Sequence, residues 1–190
     1  MVGDATGKGV PAALVMSTTC GMLQLAAEAS DSSPGEVLER VNKTLLTRIP
    51  ANMFVTCFYA ILEPNSGRLA YANAGHDLPY LRRHSGKAEE LRARGMPLGL
   101  MPGLGYEEKE TFLEAREAVL FYTDGLAEAH APDGEMFGFP RLQELVAEYA
   151  DEEGSLGDFL LEELYSFVGE DWEQEDDITL LTLRRSAPRS

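Results

Sequence analysis

The chain is poor in cysteine and has no internal repeat. Its 190 residues include only Cys20 and Cys57, which lack the C-x-x-C spacing of a zinc site. Neither cysteine is followed by arginine at the spacing that a cysteine phosphatase requires, since Ala26 and Glu63 stand there. Such sparing use of cysteine favours a reducing, cytoplasmic compartment. Because no low-complexity tract or long linker interrupts the sequence, we expect one domain over residues 1–190.

Positive charge is also scarce. Sixteen Lys and Arg residues stand against 32 Asp and Glu residues, for a net charge of −16. The excess is concentrated in residues 107–177, which hold 23 acids and three bases. This distribution repels nucleic acid and anionic lipid, so we expect no nucleic-acid partner. Most of these acids are expected to form a solvated face, and a few to converge on cations.

One uncharged run extends from Val10 to Ala27. It contains Pro11, Gly21 and several hydroxyl side chains, and it is preceded by Asp4, which argues against a membrane span or a secretion signal. We therefore expect no membrane insertion, and a buried helix of a soluble protein from Pro11 to Ala29.

The remaining pattern predicts a mixed fold. A second helix starts at a capping box, with Ser33 as the cap, Pro34 in the first turn and Glu36 reaching back, and its apolar face extends to Ile49. Further predicted elements are strands at Met53–Leu62, Arg68–Ala74, Ala118–Tyr122 and Ile178–Leu183, and helices near Pro140–Tyr149 and Ser155–Val168. This order favours an α+β or layered α/β/β/α domain over regular βαβ alternation.

The glycine-rich start, Gly3-Asp-Ala-Thr-Gly-Lys-Gly9, superficially resembles a phosphate-binding loop. It has three residues between its first glycine and the Gly-Lys pair, one fewer than a Walker loop, and Gly9 replaces the required Ser or Thr. We expect instead a tight turn whose glycines bring Asp4 close to a ligand before the first helix begins.

Two further groups of aspartates lie beside predicted strands. Asp124 follows the buried strand that ends at Tyr122, and Asp176 and Asp177 precede the last strand. Taken alone, each has an ordinary explanation as a turn aspartate or a solvated charge run. Taken with Asp4, they form a set of carboxylates without Cys or His, which favours Mg²⁺ or Mn²⁺. Two such ions can activate a water and hold phosphate oxygens.

Four segments in order resemble the motifs of metal-dependent (PPM) serine/threonine phosphatases. The closest branch is the bacterial one of sporulation stage II protein E and the sigma-factor-regulating phosphatases. The segments are Gly-Asp-Ala-Thr-Gly-Lys-Gly9, Asn-Ala-Gly-His-Asp-Leu-Pro79, Tyr-Thr-Asp-Gly-Leu-Ala-Glu128 and Asp-Asp-Ile-Thr-Leu-Leu181. The resemblance implies a four-layer α/β/β/α sandwich and hydrolysis of phosphoserine or phosphothreonine by a metal-activated water.

The resemblance also implies roles for individual residues. Asp4 corresponds to the aspartate that bridges two Mn²⁺ or Mg²⁺ ions, and Ala5 to the residue whose backbone carbonyl contacts the second ion. Asp124 and Asp176 correspond to the remaining carboxylates of the first ion. Asp177 is not expected to be a ligand.

Two other motif residues receive structural roles. We expect Thr179 to pack or to form local hydrogen bonds. We expect His76 to tie down a turn near the middle of the fold, with no metal role.

The family's upstream Gly-Gly-Asp-x-x-Asp motif has no counterpart before Gly3. This departure implies an N-terminally truncated sandwich that lacks its first strands, a second metal site short of one carboxylate, and exposed apolar edges that favour a homodimer.

Two functions therefore stay open at this stage. The first is a phosphatase acting on a phosphorylated anti-sigma-antagonist-like protein in a partner-switching pathway. The alternative is a non-catalytic module of the same fold that acts in protein–protein interaction.

Overall fold

The computed structural model describes residues 1–28, 32–149, 154–169, 172 and 174–186. The chain forms two compact units: unit 1 comprises residues 1–76 and 92–112, and unit 2 comprises residues 77–91 and 113–190. Within these described residues, each unit contains a four-stranded antiparallel sheet and two α-helices. The α+β class is thus confirmed, and the single domain over residues 1–190 stays a prediction.

The elements follow one another in an order close to the predicted one. They are β1 (Val2–Ala5), α1 (Val10–Glu28), α2 (Pro34–Leu45), β2 (Val55–Leu62), β3 (Arg68–Ala74), β4 (Tyr80–Arg82), β5 (Ala88–Glu90), β6 (Glu108–Phe112), β7 (Ala118–Tyr122), α3 (Phe139–Glu148), α4 (Leu156–Val168) and β8 (Leu180–Arg184).

The sheet of unit 1 has the order β1-β2-β3-β6, so β1 is an edge strand. Residues Val2–Ala5 pair with β2, and Asp4 lies opposite Thr56. The predicted turn over Gly3–Gly9 is therefore wrong in its first half. These residues are extended because β2 offers them a complete partner, and the chain turns only after Ala5.

Gly3 allows β1 to approach β2 closely. A Cβ atom at Gly3 would lie 2.5 Å from the backbone oxygen of Thr56, closer than two such atoms can approach. Any larger side chain would push β1, and Asp4 with it, away from the sheet.

The helix α2 covers the sheet of unit 1. The side chain of Glu36 accepts a hydrogen bond from the Ser33 backbone N–H at 3.0 Å, so this contact of the predicted capping box is present. The helix ends at Leu45, earlier than predicted, and residues 46–49 form turns. Its apolar side chains are fully buried at Val37, Leu38, Val41 and Leu45.

The helix α1 differs from the expected buried helix. One face is buried, at Val15, Thr19, Leu23 and Ala26. Apolar side chains on other faces are exposed, at Val10, Leu14 and Leu25. Length and composition alone would allow α1 to cross a membrane, as they do for many core helices of soluble proteins, and 28% of its most apolar window is buried. The predicted last residue, Ala29, lies outside the described residues.

Unit 2 is built around β7. Its sheet has the order β5-β4-β7-β8, and all five residues of β7 are buried. Leu142 and Val146 of α3 and Leu160 and Leu164 of α4 belong to the same core. The last strand begins at Leu180, two residues later than predicted, which leaves Ile178 and Thr179 in the connection before it.

The close approach at Gly3 yields a stability prediction. We expect Gly3→Ala to lower the free energy of unfolding by about 1–3 kcal/mol, because the added methyl group overpacks backbone against backbone. Gly21→Ala is the matched control: nothing lies within 4 Å of that position. In the α1 interior it should stabilise the protein by about 0.5–1 kcal/mol. Urea titration measures both, and equal behaviour of the two variants would contradict the packing argument.

Candidate functional site

In unit 1, the segment carrying the first two predicted ligands is held against β2. Asp4 is exposed and Ala5 is buried. The next residue, Thr6, donates from its backbone N–H and its hydroxyl to the Phe54 carbonyl, at 3.0 and 2.7 Å. The Phe54 N–H donates back to the Thr6 hydroxyl at 2.9 Å. These reciprocal bonds fix the C-terminal end of β1, directly beside the carbonyl of Ala5.

His76 ends unit 1 in a turn that Asn73 holds together. The His76 N–H donates to the Asn73 side-chain oxygen, and the Asn73 side-chain amide donates to the His76 carbonyl, each at 2.8 Å. The expected tied turn is thus present, although the backbone rather than the ring of His76 makes these bonds. The buried ring instead places Nδ1 3.0 Å from the Thr56 hydroxyl.

In unit 2, Asp124 lies at the end of the buried strand, as predicted. It starts a short 3-10 helix over Asp124–Leu126, and its Oδ1 accepts a hydrogen bond from the Gly125 N–H at 2.9 Å. This bond orients the half-buried carboxylate. A Cβ atom at Gly125 would lie 2.7 Å from the Asp177 backbone oxygen, so this position requires glycine.

Thr123 joins the Asp124 segment to the Asp176–Asp177 segment. Its hydroxyl donates to the Asp177 carbonyl at 3.0 Å and accepts from the Thr179 N–H at 2.9 Å. Its own N–H donates to the Thr179 carbonyl at 3.1 Å. The buried hydroxyl therefore holds the chain carrying Asp124 beside the chain carrying Asp176. The hydrogen bonds of Thr179 with Thr123 use its backbone and reach across 56 residues, so they are not the local bonds that the sequence predicted.

Asp176 itself is exposed at the end of this connection. Its Oδ1 accepts a hydrogen bond from the Asp177 N–H at 2.9 Å. Asp124 and Asp176 thus use one carboxylate oxygen in the same way, each bonding the N–H of the following residue. This shared arrangement fixes the direction of both side chains.

Asp77 is a further acid of unit 2 that sequence reasoning missed. Burial, and then the negative charges of Asp124 and Glu128, raise the pKa of the Asp77 carboxyl to about 6. The sequence feature that could have identified Asp77 is its place in the Asn-Ala-Gly-His-Asp segment, directly after His76. Thr123 was also missed, because a hydroxyl next to an aspartate looks like an ordinary turn residue.

The donor chemistry fits a hard divalent cation. The three interacting acids of unit 2, Asp77, Asp124 and Glu128, supply oxygen only, as Mg²⁺ and Mn²⁺ prefer. The pKa of Asp77 is raised by burial first and then by the charges of Asp124 and Glu128, and a nearby cation would oppose the shift by favouring the ionised carboxyl.

The described part of the chain nevertheless contains no group of three His, Cys, Asp or Glu side chains arranged to hold one metal ion. Asp4 and Ala5 belong to unit 1, and Asp124 and Asp176 belong to unit 2. Metal binding by these four residues stays a prediction. A cavity of about 920 Å³ in unit 1, bordered by α2 and residues 102–104, is lined by none of them.

From the raised pKa of Asp77 we predict that Asp77→Asn stabilises the metal-free protein at neutral pH. Because the pKa of Asp77 rises from 3.8 to about 6 on folding, the ionised carboxyl destabilises the folded state above pH 6, and the cost disappears as the pH falls toward 4. At pH 7.5 in a chelator we expect the variant to be more stable by about 1 kcal/mol, discounted for partial solvent screening. The gain should vanish near pH 4.

Urea titration at several pH values measures this difference. Glu163→Gln is the control, since it removes the same charge from an exposed position on α4. It should change stability by less than about 0.5 kcal/mol. A gain for Asp77→Asn that does not depend on pH would contradict the raised pKa of Asp77 in the folded protein.

Comparison of this chain with known proteins identifies the family to which it belongs. Over 190 residues the chain is 30% identical to phosphoserine phosphatase RsbU of Bacillus subtilis. The alignment covers 97% of this chain and 54% of RsbU. The chain therefore spans about half the length of this relative. The family model for stage II sporulation protein E (SpoIIE) matches residues 1–186.

Two solved structures have the same fold. A crystal structure of RsbU and RsbW domains from Mycobacterium tuberculosis matches with a TM-score of 0.81 and 29% identity, covering 99% of this chain and 53% of that one. The phosphatase domain of SpoIIE from Bacillus subtilis, presoaked with manganese, matches with a TM-score of 0.64 and 16% identity, covering 90% and 74%. The chain thus belongs to the SpoIIE family and has the α+β fold of PP2C-type phosphatase domains.

Proposed function

We propose that this chain is a metal-dependent serine/threonine phosphatase that hydrolyses phosphoserine or phosphothreonine on a protein. The observation that carries the proposal is the junction in unit 2, where the Thr123 hydroxyl holds the Asp124 segment beside the Asp176–Asp177 segment. Membership of the SpoIIE family and the similarity to a phosphoserine phosphatase support it.

The proposed cofactor is Mn²⁺ or Mg²⁺. In unit 1 the proposed ligands are the Asp4 carboxylate and the Ala5 carbonyl, and in unit 2 they are the Asp124 and Asp176 carboxylates. The all-oxygen donor set supports this choice, as does the manganese-presoaked SpoIIE phosphatase domain. Bound ions of this kind lower the pKa of water toward neutrality and polarise phosphoryl oxygens.

The contribution of the chain itself is to fix its carboxylates before any ligand arrives. The Gly125 and Asp177 N–H groups orient the carboxylates of Asp124 and Asp176. Thr123 fixes the spacing of the two segments that carry them. Oriented in this way, the carboxylates lose little side-chain freedom on binding, which lowers the entropic cost of holding a cation. No side-chain nucleophile is required.

The proposed substrate is a small phosphorylated regulator resembling an anti-sigma antagonist. The similarity to RsbU, and to a structure that joins RsbU and RsbW domains, supports a partner-switching role. A cytoplasmic location and a homodimer belong to the same proposal.

A second candidate is a non-catalytic module of the same fold that acts in protein–protein interaction. One observation favours it: within the described ranges, no three metal-binding side chains are arranged around one ion. This candidate predicts normal folding with neither metal binding nor hydrolysis.

Manganese titration separates the two candidates. We expect millimolar Mn²⁺ to raise the melting temperature, because an ion at about 100 times its dissociation constant adds about 2.7 kcal/mol to the stability. Asp124→Asn and Asp176→Asn should reduce this gain. They should also slow Mn²⁺-dependent hydrolysis of p-nitrophenyl phosphate about 100-fold or more, since each variant removes a proposed ligand of the ion that would polarise the phosphoryl oxygens.

Asp133→Asn serves as the control. Asp133 is an exposed turn residue whose carboxylate accepts from the Glu135 N–H, and it belongs to none of the motifs. The control should retain both the thermal gain and the hydrolysis. A melting curve that manganese leaves unchanged, together with no hydrolysis, would favour the interaction module.

A further inference from the structure

A buried histidine of unit 1 is linked to Asp4 through one hydroxyl group. The ring of His76, which is 7% exposed, places Nδ1 3.0 Å from the Thr56 hydroxyl. The Thr56 hydroxyl in turn donates to the backbone carbonyl of Asp4 over a long 3.4 Å. Thr56 is also the residue directly opposite Asp4 in the β1–β2 register.

The two contacts of Thr56 depend on each other, because one hydroxyl hydrogen can serve only one of them. A hydroxyl has one hydrogen to donate and can accept through its lone pairs. If that hydrogen goes to the Asp4 carbonyl, the contact with His76 requires Nδ1–H to be the donor. In that arrangement an ordered series of donors runs from Nδ1–H of His76 through the Thr56 hydroxyl to the Asp4 carbonyl.

The position of β1 at the edge of its sheet makes the hydrogen bonds between His76, Thr56 and Asp4 important for placing Asp4. As an edge strand of four residues, β1 has one neighbouring strand, β2, to fix it. Opposite residues of an antiparallel pair place their side chains on the same face, with Cβ atoms about 5 Å apart. The Thr56 hydroxyl thus lies beside the base of the Asp4 side chain. Its bond to the Asp4 carbonyl restricts the peptide group between the Asp4 carboxylate and the Ala5 carbonyl.

We propose that His76 is a positioning residue for metal binding by Asp4, acting through Thr56. The inference rests on the proposed function, which makes Asp4 a ligand. The ring is separable from the turn that carries it, because Asn73 bonds the backbone of His76 and not its side chain. Removing the ring leaves those backbone bonds in place while it ends the contact with Thr56.

Substitutions that mimic one ring nitrogen at a time test this role. The side-chain nitrogen of asparagine can occupy the place of Nδ1, whereas that of glutamine lies where Nε2 was. We expect His76→Ala and His76→Gln to lower the affinity for Mn²⁺, measured by isothermal titration calorimetry, about 10- to 100-fold. His76→Asn should stay close to the wild-type affinity.

Variants of Thr56 test the role of its hydroxyl in the same way. Thr56→Val removes it at constant shape and should lower the Mn²⁺ affinity as His76→Ala does, whereas Thr56→Ser retains it and should retain the affinity. His84→Ala is the control, since His84 is exposed and belongs to unit 2. Circular dichroism verifies that each variant is folded.

Asp4→Asn distinguishes failure of this inference from failure of the proposed function. If Asp4→Asn lowers the Mn²⁺ affinity while His76→Ala and Thr56→Val do not, Asp4 is a ligand and the positioning role is overturned. If Asp4→Asn leaves the affinity unchanged, the ligand assignment fails and the positioning role fails with it.

A second measurement needs neither metal nor variant. In the metal-free wild-type protein, ¹⁵N NMR of the imidazole nitrogens should show the hydrogen of neutral His76 on Nδ1. A ring that carries its hydrogen only on Nε2 would overturn this series of donors, because Thr56 would then have to donate to His76 rather than to Asp4.

Discussion

Carboxylates that share a small volume repel one another, and the architecture of unit 2 reflects that constraint. Burial, and then repulsion from Asp124 and Glu128, raise the pKa of the Asp77 carboxyl to about 6. The hydrogen bonds that hold the two aspartate segments together come from a neutral group, because Thr123 joins them through its hydroxyl. A site restrained by neutral groups keeps its negative charge available for a cation.

The elements that could be predicted from sequence are those whose local pattern agrees with their surroundings. The strand β3 was predicted with its observed bounds because the Pro-Asn-Ser-Gly67 turn precedes it, and β7 because it is a short apolar run. The strand β1 was not predicted, since four residues of mixed polarity become extended only when β2 pairs with them. The α1 face exposed at Leu14 and Leu25 was equally invisible, because composition reports how apolar a helix is and not what covers it.

Some residues of the candidate site could likewise be predicted from the sequence, and others could not. Asp124 and Asp176 could be selected as ligand candidates because each stands beside a predicted strand in a segment that resembles a family motif, and their role as ligands stays a prediction. Thr123 and Asp77 could not, because their importance comes from contacts made across the fold: Thr123 meets Asp177, 54 residues away. Ligand candidates are thus readable from the chain, whereas the groups that orient them and tune their protonation depend on tertiary structure.

The pairing of β1 with β2 also has a kinetic consequence. Asp4 meets Thr56 across 52 residues of chain, so β1 leaves the ribosome well before its partner strand exists. At synthesis rates of about 5–20 residues per second, the Asp4 segment waits several seconds without a neighbour. Closing so long a loop is entropically costly, and an edge strand gains little in return until the rest of the sheet has formed. Although β1 is synthesised before β2, we therefore expect it to be among the later strands of its sheet to take its final form.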